Sequence, residues 1–196
     1  MIRWNVLWLF LLTPLTAHAS DIRLGIQGGV NLANASVEPA ASPELTSRTG
    51  IVGGGFFEVD AGSSLYAVGE ANYVQKGAKQ GTTTFKYDYL SFVALLKLQP
   101  SLPVIKPFAF VGAGIDTRMT AQTQTAAGQV EDPNISSLDF TGQLGAGVEL
   151  EMTFWPFNFF VSGRYSLGLL DVDSRTSQVW KNKGLQLLAG FIIRTI

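Results

Sequence analysis

Residues 138–151 read LDFTGQLGAGVELE. Phe140, Leu144, Ala146, Val148 and Leu150 share one parity, while Thr141, Gln143, Gly145, Gly147, Glu149 and Glu151 share the other. Successive side chains of a strand point to opposite faces, so this stretch predicts a strand with one apolar and one polar face. The same alternation recurs on either side. Phe159, Val161, Tyr165, Leu167 and Leu169 oppose Ser162, Arg164, Ser166 and Gly168. Near the N-terminus Ile22, Leu24, Ile26, Val30 and Leu32 oppose Arg23, Gln27 and Asn31, and at the C-terminus Leu185, Leu187, Ala189, Phe191 and Ile193 oppose Gln186, Gly190 and Arg194.

Eight such segments follow one another: Asp21–Leu32, Gly50–Val59, Leu65–Gly77, Phe85–Leu98, Lys106–Asp116, Ser137–Glu151, Phe159–Leu170 and Gly184–Ile196. Most have the length of a tilted strand crossing a bilayer, about 9–11 residues, with some overhang. Prolines respect them. Pro39, Pro43, Pro100, Pro103, Pro133 and Pro156 fall in connections and Pro107 at a strand start, so none removes a ladder hydrogen bond from a strand interior.

A soluble sandwich or lipocalin-like barrel also alternates, with its apolar face inward. The connections favour a membrane. Ala33–Thr49, Thr117–Ser136 and Asp171–Lys183 are long and polar, Ala78–Thr84 is intermediate, and Asp60–Ser64, Gln99–Ile105 and Met152–Asn158 are short. Outer-membrane barrels show this asymmetry between external loops and periplasmic turns. The expected fold is all-β: an eight-stranded antiparallel up-and-down transmembrane β-barrel occupying residues 20–196.

Residues 1–19 read as a signal peptide. Arg3 precedes an apolar run from Trp4 to Leu15, and Ala17-His18-Ala19 fits a small-x-small cleavage site. The run is too short for a bilayer-spanning helix, which needs about 20 residues. The expected location is therefore the outer membrane of a Gram-negative cell after cleavage, with insertion by the barrel-assembly machinery. The chain ends Phe191-Ile-Ile-Arg-Thr-Ile196, without the terminal aromatic residue that such insertion signals often carry.

Composition agrees. Of 196 residues only 15% are charged, yet 46% are apolar, and 21 are glycine; this is poor in charge and rich in glycine for a soluble enzyme. Without Arg3, 13 of the 14 basic residues remain against 15 acidic ones, a formal charge of −2, which points away from nucleic acid. There is no cysteine, and the one histidine, His18, lies in the leader. Disulfides and thiolate metal sites are excluded, and no cofactor is expected.

In hydrocarbon, strands can span only as a sheet closed on itself, because every backbone donor and acceptor needs a protein partner. Eight strands enclose a lumen that side chains fill, whereas open pores need about 16–18 strands. Arg23, Glu58, Glu70, Asn72, Lys76, Lys97, Gln143, Glu149, Arg164 and Arg194 are the candidate members of a structural polar network inside. Unpaired buried charge is costly, so Glu70 and Glu149 are expected to meet lumenal Arg or Lys groups. Tyr66, Tyr73, Tyr87, Trp155, Phe157 and Trp180, with Phe108 near the same rim as Tyr66, are candidates for aromatic girdles at the two membrane surfaces. Gly112-Ala-Gly114 lacks the helix and lysine of a phosphate-binding loop.

Four segments carry a resemblance: Asn72-Tyr-Val-Gln-Lys-Gly-Ala78, Tyr89-Leu-Ser-Phe-Val-Ala-Leu-Leu-Lys97, Lys106-Pro-Phe-Ala-Phe-Val-Gly112 and Arg164-Tyr-Ser-Leu-Gly-Leu169. In order and spacing they resemble strands of PorT-like outer-membrane β-barrel proteins, with Ser91 and Val93 departing from the family's usual Glu and Pro. The resemblance implies a small eight-stranded barrel of the OmpX- or OmpA-like kind and no particular activity. The functional expectation is a monomeric, non-enzymatic barrel in outer-membrane lipid, whose long external loops, Thr117–Ser136 above all, meet an extracellular partner. A lipid-modifying enzyme is the first alternative. It usually needs a histidine base with its nucleophile, and the sequence after residue 19 has none. A soluble periplasmic ligand-binding barrel is the second.

Overall fold

The computed structural model describes residues 22–38, 45–125, 128–131, 137–169 and 179–193. Residues 1–21, with the expected signal peptide, Arg194 and parts of the long connections (39–44, 126–127, 132–136 and 170–178) lie outside the described residues, as does the side chain of Trp180.

Ten strands form one sheet: β1 (Ile22–Glu38), β2 (Leu45–Gly62), β3 (Leu65–Lys76), β4 (Ala78–Gln80), β5 (Thr83–Leu98), β6 (Ile105–Thr125), β7 (Gly128–Glu131), β8 (Leu138–Leu150), β9 (Phe157–Gly168) and β10 (Val179–Ile193). Eight of them make a closed antiparallel ring. β1 pairs with β2, β2 with β3, β3 with β5, β5 with β6, β6 with β8, β8 with β9, β9 with β10, and β10 returns to β1. Closure leaves no sheet edge at bilayer depth, which is what hydrocarbon demands of a spanning sheet. β4 continues the β3 stave beyond Gly77 (φ +125°) and fits between β2 and β5, while β7 folds back on β6.

All three short connections lie at one end of the barrel, called here the turn end. Ser63 and Ser64, both at positive φ, link β2 to β3. Residues 99–104 link β5 to β6, and 151–156 link β8 to β9. At the opposite, loop end the structure corrects the sequence reading. Much of what reads as long loops is strand: β1 runs on to Glu38, β2 begins at Leu45, β6 continues to Thr125 and β10 begins at Val179. The backbone ladder persists there, although period-two hydropathy is lost. A strand whose outer face no longer meets an apolar layer has no reason to alternate.

The outer wall is apolar. Leu144, Leu167 and Phe191 are 59%, 41% and 43% exposed, and Ile26, Ile51, Leu96 and Val111 also face outward. Inside, the parity rule holds but the chemistry is mixed. Polar residues share the lumen with Phe56, Val68, Val93, Leu95, Phe108, Phe110, Phe160 and Ile192, which form one buried apolar cluster. An interior of polar side chains alone was the expectation. The difference arises where both faces of a strand are apolar, as in β5 and β6.

Candidate functional site

The lumen is organised in tiers along the barrel axis. Nearest the turn end, Glu58 accepts from Lys97 Nζ at 2.6 Å and is ion-paired with Arg23. Glu149 lies beside both cations, 3.1 Å from Arg23 Nη1 and 3.6 Å from Lys97 Nζ. Gln99 Nε2 and Asn158 Nδ2 donate to the Glu149 oxygens at 2.8 and 2.7 Å. Two carboxylates thus pair with two cations; Glu149 is 0% exposed and the Arg23 side chain 13%. Tyr66 stacks on this tier, its ring centre 4.6 Å from the Arg23 guanidinium carbon.

Above it lies the apolar cluster, and its construction is legible in the register. Phe56 is the cross-strand partner of Gly25, Phe108 of Gly147, Phe110 of Gly145 and Phe160 of Gly190. Each ring lies across its glycine. A Cβ built on Gly145 or Gly147 would come within 2.5 Å of the ring opposite, and one on Gly190 within 2.7 Å. An aromatic ring laid over a cross-strand glycine covers backbone that would otherwise be bare. The rings also touch one another, Phe56 edge-on to Phe160 at 5.6 Å and Phe108 edge-on to Phe160 at 6.3 Å.

The next tier is centred on Arg164 and Glu70, a two-pronged pair at 2.6 and 2.7 Å. Gln143 Oε1 accepts from Arg164 at 3.0 Å, Asn72 Nδ2 donates to Glu70 at 2.9 Å, and Gln27 Nε2 donates to Asn72 at 2.9 Å. Toward the loop end, beyond Val52, Val74 and Leu188, Lys76 is ion-paired with Asp116 and lies 3.5 Å from Asp139. Asn182 Nδ2 donates to Asp139 at 3.1 Å, Asn31 Nδ2 to the Gln75 carbonyl at 2.7 Å, and Arg48 to the Lys76 carbonyl at 2.6 Å. Tyr87 and Tyr89 pack with Ala121 in this region.

Nine of the ten polar candidates therefore lie in the lumen and fall into three separate groups; Arg194 lies outside the described residues. The candidate network omitted Gln99, Asp116, Asp139, Asn158 and Asn182, and it left out Asn31 and Gln27 although parity put both on the polar face of β1. Parity alone points to Asp139, since it shares the face of Thr141 and Gln143, but Asp116 follows Phe108 and Phe110 on a face that reads as apolar.

The aromatic candidates divide. Tyr73 is half-buried on the outer face, between the inward Asn72 and Val74. Trp155 and Phe157 meet at 5.4 Å, their rings tilted by 40°, on the outside of the turn end, where Phe157 also meets Phe191 at 5.2 Å. Tyr66, Tyr87 and Phe108 are corrections. Tyr66 shares the face of Val68 and Glu70 and packs against the lumenal core, Tyr87 is 2% exposed, and Phe108 is part of the core itself. Position near a strand end suggested the girdle for these three; parity puts them inside.

Chemically, this arrangement holds charge in place. The lumenal carboxylates are all paired with cations, and among the described residues there is no cluster of three or more His, Cys, Asp or Glu able to hold a metal. The cavities inside are small. One of about 30 Å³ lies between Lys97 and Arg164 among the Phe rings, and one of about 10 Å³ lies beside Asn31, Lys76 and Asn182.

No curated protein sequence matches the chain significantly. Among solved structures, it is similar to neisserial surface protein A (15% identity, 88% of this chain and 97% of that one, TM-score 0.56). It is also similar to Ail, the attachment invasion locus protein of Yersinia pestis, in complex with the heparin analogue sucrose octasulfate (14% identity, 88% and 99%, TM-score 0.49). A third likeness is to the outer membrane enzyme PagL (17% identity, 87% and 99%, TM-score 0.45). At these identities the likeness is one of fold. The family described as outer membrane protein beta-barrel domain matches residues 16–174, a span that takes in β1 to β9, and the chain belongs to that family.

Proposed function

We propose that this chain is a non-enzymatic, monomeric barrel of the Gram-negative outer membrane, closed to solutes, which acts through the part that rises above the lipid. The observation that carries this reading is the lumen: three tiers of paired charges and a layer of Phe rings occupy the space a pore or an active-site cleft would need. The turn end then faces the periplasm and the loop end the exterior. The hairpin of β6 and β7 within residues 117–131 is the best-placed surface for an extracellular partner. Outer-membrane lipid covers the wall, and the barrel-insertion machinery assembles it after cleavage at residue 19. The finer kinship with PorT-like proteins rests on the four motifs, and those motifs supply lumenal groups: Asn72, Lys76, Lys97 and Arg164.

Two measurements test this together. Outer-membrane fractions run boiled and unboiled should show the heat-dependent gel shift of a closed barrel, and the purified protein in planar bilayers should show no unitary conductance. Replacing residues 119–131 by a short turn should abolish surface attachment while leaving the gel shift intact. Recovery in the soluble periplasm, or lipid A deacylation by the purified protein, would replace this reading with one of the alternatives.

A further inference from the structure

We infer that the barrel is sealed by an apolar septum, with one buried ion-pair tier on each side of it. This rests on the closed lumen proposed above and says what closes it. A paired tier alone is a weak seal, because charged and amide groups remain partners for water. A ring-lined constriction excludes water by offering it no hydrogen bonds, which is how apolar gates stop ions.

The geometry fits a septum on three counts. The layer reaches every stave: side chains enter from β2, β3, β5, β6, β9 and β10, and β1 and β8 contribute the glycines under the rings of Phe56, Phe108 and Phe110. Among the described residues the cavity within it is about 30 Å³, walled by the rings and touched by Glu58 and Lys97 on the turn side and by Glu70 and Arg164 on the other, room for about two water molecules and too little for a hydrated ion. Cations cap it from both sides, Lys97 Nζ 4.5 Å from the Phe108 ring centre on the turn side and Arg164 4.9 Å from that of Phe110 on the other. No hydrogen bond or ion pair joins the Glu58–Glu149 tier to the Glu70–Arg164 tier among the described contacts.

The test compares ion leak through three proteins in planar bilayers, each first checked for the heat-dependent gel shift. The parent should be silent. Phe108→Ala/Phe160→Ala should raise the leak about tenfold or more, since it opens the constriction while leaving every ion pair in place. Glu70→Gln/Arg164→Gln, which removes a charged tier and spares the rings, should stay at the parent's level. If the double Phe variant loses its folded band, Phe160→Val and Leu95→Ala carry the same comparison singly. Silence in every folded septum variant, or a leak in the Gln/Gln variant, overturns the septum while leaving a closed barrel. A conducting parent overturns both.

Discussion

Replacing Glu70 by leucine should be among the most destabilising single changes in this chain. In the native barrel Arg164 gives two hydrogen bonds to Glu70, at 2.6 and 2.7 Å, with the two side chains only 4% and 3% exposed. The leucine would leave a guanidinium enclosed by Phe110 and the barrel wall, with the neutral Gln143 Oε1 at 3.0 Å as its remaining acceptor. Breaking a buried pair by removing one partner costs about 3–5 kcal/mol. An independent figure agrees: two unit charges about 4 Å apart at an effective dielectric of about 20 attract by about 4 kcal/mol. Solvent screening takes little from this, because both side chains are almost wholly buried. Removing both partners at once is different. Glu70→Leu/Arg164→Met replaces the pair by apolar groups of similar size, so it should fall within about 1–2 kcal/mol of the parent, since such exchanges are often neutral. The assay is urea unfolding in detergent micelles, followed by tryptophan fluorescence and by the gel shift. The reasoning fails if Glu70→Leu costs less than about 1 kcal/mol, or if the double variant is as unstable as the sum of the two single ones.

Other outcomes follow from the wall and the glycines. Gly145→Leu would force Phe110 out of its place and meet the Gly163 carbonyl, and should lower the unfolding free energy by about 1–3 kcal/mol; Gly142→Ala, with nothing within 4 Å of the added carbon, should leave it unchanged. Leu144→Arg puts a charge on the lipid face and should cost about 2–4 kcal/mol in lipid if Leu144 lies near the bilayer midplane, read as lost SDS-resistant band; an unaltered band would mean that this face does not meet lipid. Trp155, 57% exposed on the turn end, should be quenched more by bromines near the headgroups than by bromines at the acyl-chain ends, and the reverse order would place it deeper than an interfacial girdle allows. Lys106→Ala, which breaks a pair with Glu151 at 2.8 Å whose side chains are 24% and 30% exposed, should shift stability by no more than about 1 kcal/mol.

The eight staves of the ring, the inside and outside of most of them and most of the lumenal charges can be read from parity, because a period of two is fixed by backbone geometry and survives in any barrel; β5 and β6, apolar on both faces, are the exceptions. Two things were not legible. The height of the strands above the lipid leaves no hydropathy signal, so Thr117–Thr125 reads as loop although it continues β6. The partners inside depend on strand tilt and on reach across the lumen: Arg164 and Glu70 are 94 residues apart in sequence and sit on β9 and β3, which are not neighbours in the ring. Parity says that both point inward; only the three-dimensional register says that they meet. The Phe–Gly pairs were hidden for a related reason. The role of Gly145 and Gly147 depends on which residue of β6 lies opposite, and that register is not written in β8 itself.

A narrow lumen interrupted by an apolar layer makes charge balance a local requirement. Counter-charges cannot be shared through rings of Phe without unpairing a buried group, so each tier has to be neutral by itself. The turn-end tier sets Arg23 and Lys97 against Glu58 and Glu149, and the central one sets Arg164 against Glu70. At the loop end Lys76 faces two carboxylates, Asp116 and Asp139, and the second buried cation is Arg48, one hydrogen bond away on the Lys76 carbonyl. Asp116 and Asp139 are direct cross-strand partners on β6 and β8, an arrangement that repels unless a cation intervenes. Lys76 is therefore the residue on which this tier turns. Exchanging it for methionine should destabilise the barrel more than the same exchange at Lys106, whose pair is open to water.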